Sequence, residues 1–101
     1  MATKTKSVYE QLAYPDANEM LVKARLVSAI AEQIKRRHLV QTEAAALLGF
    51  SQPKLSNLLR GQFRGVSERK LMDCLNRLGY DIEIKVKPAA KAVGHLLLAV
   101  G

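Results

Sequence analysis

Between Gln41 and Arg64 the chain carries a run of side chains whose chemistry is hydrogen bonding and positive charge. Gln52, Ser56 and Asn57 supply amides and a hydroxyl, and Lys54, Arg60 and Arg64 add cations. Gln41 and Ser51 stand where two short helices would begin. An Asn or Gln amide sets a donor beside an acceptor, which pairs bidentately with the N6 and N7 of adenine, while a hydroxyl serves in either sense. Lysine and arginine neutralise phosphates, and the free amides of a helix start receive phosphate oxygens. The partner that suits such a set is polar, extended and anionic.

Two short helices would position these groups. The first covers roughly Gln41 to Leu48, with Ala44, Ala45, Leu47 and Leu48 read as facing inward or toward the next helix. Gly49 supplies the turn, because glycine takes left-handed backbone angles without the steric cost borne by other residues. Phe50 plugs the turn into the core, and Ser51 is the expected N-cap of the next helix. Pro53 is tolerated in the first turn, where amides lack intrahelical acceptors anyway. Leu55, Leu58 and Leu59 form the buried side, and Gly61 ends the helix. Two helices joined by a short glycine turn make a helix-turn-helix, whose second helix is of a size to enter the major groove of DNA.

Around this pair the chain supplies scaffolding. Residues 1–15 read as a flexible arm, with Val8 and Tyr9 as a weak candidate strand. Asp16 and Glu19 have the spacing of a capping box opening a helix that runs to about Arg37. Val27, Ile30 and Ile34 form its stripe, continued by Met20, Val22 or Ala24, and Lys35, Arg36, Arg37 and His38 crowd its C-terminal end, where cations complement the helix dipole. After a loop anchored by Phe63, Ser67 caps a further helix with Leu71, Cys74, Leu75 and Leu78 at i, i+3, i+4, i+7 spacing. The period then changes. "DIEIKVK", 81–87, alternates strictly, with Ile82, Ile84 and Val86 on one face, the pattern of a half-buried strand. A lone strand leaves its backbone groups unpaired, so this one calls for a partner, either a second copy of itself or the edge of another protein. Residues 89–101 are an apolar tail interrupted by Gly94.

The composition narrows the function. At 101 residues and 49% apolar content the chain holds one small domain, and its 5% aromatic content predicts an aliphatic, helical core. Its apolar runs are too short to span a bilayer, its start lacks the apolar stretch of a secretion signal, and the single cysteine fits a reducing interior, so a cytoplasmic location is expected. Of the formal charge of +7, six units fall between Lys35 and Lys70, where eight cations face only Glu43 and Glu68. Such a concentration suits nucleic acid. With no paired histidines, Cys-His combination or metal spacing, no catalytic or metal-ligating residue is assigned, no cofactor is expected and an enzyme is disfavoured. The absence of exposed stacking aromatics disfavours single-stranded RNA.

"LVQTEAAALLGFSQPKLSNLLRG" resembles the XRE/Cro family of helix-turn-helix domains. With "DANEMLVKARL", "SERKLMDCLNRLG" and "DIEIKVKP" it is most similar to the subgroup of HigA-type antitoxins and regulators encoded beside a RelE-like toxin. The resemblance covers about Tyr14 to Pro88. It implies that Gln41 opens its helix against a phosphate, that Gln52 and Asn57 lie at base edges with Ser56 between them, and that Lys54 reaches the backbone. Pro53 takes a base-facing position, where it offers an apolar contact for a thymine methyl. Ser51 is placed among the phosphate contacts, and Arg60 and Arg64 join them by charge and location. In one departure, Val40 stands where the family has a capping Thr or Ser, a loss of about 1 kcal/mol that Glu43 or Thr42 could offset.

The expected fold is therefore mainly all-α: a four- to five-helix bundle with a helix-turn-helix of the XRE/Cro, lambda-repressor-like type over 16–88, plus one C-terminal strand. The expected function is a sequence-specific repressor that binds a palindromic operator in double-stranded DNA as a homodimer. As the antitoxin of a type II pair it would repress its own operon and hold a small RelE-like toxin. The alternatives are a stand-alone phage-like or chromosomal repressor, and a helical adaptor that inhibits a protein partner without DNA.

Overall fold

The computed structural model describes residues 17–100, so the expected arm, the Asp16 cap and the Val8–Tyr9 strand lie outside the described residues. Four helices follow in order: α1, Ala17–Arg36; α2, Gln41–Leu48; α3, Gln52–Leu59; and α4, Glu68–Arg77. Val22, Leu26, Ile30 and Ile34 recur every four residues along α1 and are buried. This ridge packs chiefly on α4, while α2 and α3 pair with each other and close the core. Ile30, Leu48, Leu55, Leu58, Leu71 and Leu78 have less than 2% of their surface exposed, so each helix contributes a leucine or isoleucine to one shared interior.

Each helix stops in the same way. The residue after the last turn takes a left-handed backbone, at Gly49 (φ 77°), Gly61 (φ 101°), Gly79 (φ 92°) and, without glycine, His38 (φ 56°). The following amide then reaches back five residues: Leu39 to Ile34 at 3.1 Å, Phe50 to Ala45 at 2.9 Å, Gln62 to Asn57 at 2.9 Å and Tyr80 to Leu75 at 2.9 Å. This pattern satisfies carbonyls that the helix itself leaves open.

Some details differ from expectation. Leu47 is 38% exposed and does not join the interior, because an eight-residue helix lying on α3 and α4 buries only the stripe of Ala44, Ala45 and Leu48. In the α3–α4 loop Phe63 is half-buried against the core, but the fully inserted side chain is Val66, whose amide donates to Phe63 O at 3.0 Å. Residues 81–87 form no strand, since no ladder partner exists among the described residues. Ile82 packs against the core, whereas Ile84 is 75% and Val86 96% exposed. Beyond them Leu98 returns to the core, near Arg25, whose Nη1 donates to Leu98 O at 3.5 Å. No described helix is long and apolar enough to cross a membrane.

Candidate nucleic-acid interface

Helix α3 is held at both ends. Ser51 has extended backbone angles, φ −72° and ψ 159°, and its Oγ accepts from Lys54 N at 3.3 Å, with proline in the first turn. The left-handed Gly49 brings α2 to a stop two residues earlier. Leu55 and Leu58 lock α3 onto the core. At about 100° per residue, the side opposite those leucines is centred on Pro53, Ser56, Asn57 and Arg60, with Gln52 and Lys54 at its margins. Gln52, Pro53, Lys54 and Arg60 are exposed, and Ser56 and Asn57 are half-buried at the helix surface. Arg60 Nη2 donates to Asn57 Oδ1 at 2.9 Å. Gln41 is exposed at the first turn of α2, and Arg64 sits in the loop beyond Gly61.

A family model described as a helix-turn-helix domain matches residues 8–87. A solved structure described as an XRE family transcriptional regulator matches with a TM-score of 0.74 and 38% identity, over 85% of this chain and 97% of that chain. The chain belongs to the XRE-type helix-turn-helix family. With that membership it is a DNA-binding transcriptional regulator. None of the curated proteins compared with it matches.

The cations of this XRE-type domain divide by task. Lys70 donates from Nζ to Leu48 O at 3.0 Å, lies 4.9 Å above the Phe50 ring and stands 3.8 Å from Asp73. Arg77 donates from Nη1 to Leu47 O at 3.1 Å and from Nε to Asp73 at 3.0 Å. Together they bring α4 cations to the negative end of α2, which directly precedes the turn into α3. Arg37 closes the end of α4 in the same sense, donating to Leu78 O. Arg36 pairs with Glu32 at 2.9 Å. Part of the positive surplus in the middle of the chain therefore orients helices, and only the remainder faces outward.

Lys23 was not singled out from the sequence, where it reads as one more surface lysine of α1. It is 5% exposed, and its Nζ donates to Arg64 O at 2.9 Å with Glu19 at 3.8 Å. A charge so buried costs stability unless paired and hydrogen-bonded, and here it fastens the loop that carries Arg64 to α1. Its signal in the sequence is faint: a lysine between Val22 and Leu26 on the apolar side, with Glu19 four residues before it. On the far side of the core Gln33 Nε2 donates to the Tyr80 hydroxyl, tying the chain that leaves α4 to α1. Burial pushes the Cys74 thiol up, outweighing the pull of Lys70, so it is a packing residue with little thiolate character.

Proposed function

We propose that the protein is a repressor that inserts α3 into the major groove and binds a palindromic operator as a homodimer. The single observation that carries this reading is the outward side of α3, where a row of polar and cationic groups stands on a helix clamped at both ends. Gln52, Pro53, Ser56 and Asn57 take the base edges. Gln41, Ser51, Lys54 and Arg64 take phosphates, and Arg60 belongs to the same face. Two-fold symmetry sets the recognition helices about 34 Å apart, one turn of the duplex. The exposed alternation of Ile84 and Val86 supports strand pairing between two copies over 81–87. In the antitoxin form of the proposal, which rests on the sequence resemblance, the operator is that of the protein's own operon and a small RelE-like toxin is the second partner.

The test uses duplexes selected from a random-sequence library by the full chain. Gln52→Ala with Asn57→Ala is expected to lower affinity for the selected duplex by about 10- to 1,000-fold while leaving affinity for unselected DNA nearly unchanged. Circular dichroism checks that the helices persist. Undiminished specificity in the double variant would remove α3 from the base-reading role.

A further inference from the structure

We propose that Asn57 and Arg60 form one coupled reader of guanine, an inference that rests on the placement of α3 in the major groove. By charge and position at the helix end, Arg60 groups with the phosphate contacts. The geometry points elsewhere. Arg60 follows Asn57 by three residues and Pro53 by seven, so it continues their stripe at the centre of the outward side, and its Nη2 donates to Asn57 Oδ1 at 2.9 Å.

The bond changes what each side chain offers. A free Asn presents a donor and an acceptor, the match for adenine, whose major-groove edge shows an acceptor at N7 and a donor at N6. Here Oδ1 already accepts from Arg60, so one of its two lone pairs is spent while both Nδ2 hydrogens remain to be donated. Arg60 gives one of its five N–H groups to the bond, so one complete two-donor edge of the guanidinium remains. The pair thus confronts DNA with more donors than acceptors. Guanine is the base that answers with two adjacent acceptors, N7 and O6, whereas the N6 amino group of adenine opposes a donor. Pro53, one turn before Asn57, has no donor to compete for the same base. Tethering also places the planar guanidinium before DNA arrives, so fewer rotamers are lost on binding.

Selection from a random-sequence duplex library, run in parallel with the full-length wild type, Arg60→Lys and Asn57→Ala, tests this. The wild type is expected to enrich guanine at one position of each half-site. Arg60→Lys retains the charge, so the salt dependence of binding stays as it was, but discrimination of guanine over adenine at that position falls about 10- to 100-fold. Asn57→Ala removes the tether and weakens the same discrimination at the same position, without altering the salt dependence. Two results overturn the coupled reader while leaving the repressor in place: Arg60→Lys keeping the guanine preference, or losing affinity equally for every duplex as a phosphate contact would. Failure of the wild type to enrich any duplex would instead overturn the placement of α3 in the groove, and this inference with it.

Discussion

At the scale of single residues, His38 shows how local geometry and sequence disagree. It occupies the left-handed position that ends α1, a place the other three helices give to glycine. An L-residue there costs roughly 1–2 kcal/mol, because its Cβ crowds the next carbonyl. The side chain is exposed and enters no hydrogen bond or ion pair among the described residues, so little is lost by removing it. Glycine would relieve the strain but bring greater freedom to the unfolded chain, leaving a net gain of about 0.5–1 kcal/mol. His38→Gly is thus expected to raise the thermal midpoint by about 2–8 °C. His38→Val should lower it, since a β-branched residue tolerates this backbone least. A thermal melt followed at the helical ellipticity band checks both, and a lower midpoint for the glycine variant would count against strain at this site.

At the scale of elements, the start of α2 lacks the side-chain cap that opens α3 and α4. Val40 has no oxygen to offer the first-turn amides, and only half of a capping box survives: Val40 N donates to Glu43 Oε1 at 3.1 Å. By contrast Ser51 and Ser67 accept from the amides of Lys54 and Lys70 at 3.3 and 3.0 Å. Val40 is 59% exposed, so Val40→Ser sacrifices little buried surface. It is expected to stabilise the domain by about 0.5–1.5 kcal/mol, measured as a shifted urea midpoint with unchanged slope. A midpoint that stays put would mean that Glu43 and the α4 cations already hold α2 in place. The same joints explain why the helix-turn-helix was legible from the residues. Ser51, Gly49, Gly61, Ser67 and Gly79 punctuate it with local chemistry that depends on a few neighbours. The contacts that orient the helices were not legible. Lys23 meets a loop carbonyl 41 positions away, and Lys70 and Arg77 meet carbonyls of Leu48 and Leu47, 22 and 30 positions away. A lysine or arginine in a sequence carries no sign of which distant carbonyl the fold will bring to it. Leu47 illustrates the same limit in reverse, since the width of a buried stripe on so short a helix is decided by the neighbours it meets.

At the scale of the whole molecule, the segment after Tyr80 leaves the core and carries its apolar side chains Ile84 and Val86 to the surface. Ile82 is seated against the core beside a cleft between α1, α4 and the returning tail, lined by Leu26, Ala29, Leu75 and Leu98. Ile84 and Val86 continue the same alternation with almost nothing covering them, while Glu83, Lys85 and Lys87 occupy the intervening positions. Pairing of 81–87 with its copy would satisfy the backbone groups and cover both apolar side chains in one step. A side chain as exposed as Val86 contributes little to the monomer, so charges introduced here should spare the helical fold. Ile84→Lys combined with Val86→Lys is accordingly expected to shift stability by no more than about 1 kcal/mol, yet to convert a dimer into a monomer in light scattering across micromolar concentrations. Loss of the second half-site contact then lowers affinity for a palindromic duplex far more than affinity for a single half-site, because the linked pair no longer gains from binding both. A wild type that is monomeric throughout that range would remove strand pairing from the proposal. A double variant that remains dimeric would move the two-fold contact to another surface and free 81–87 for a different partner.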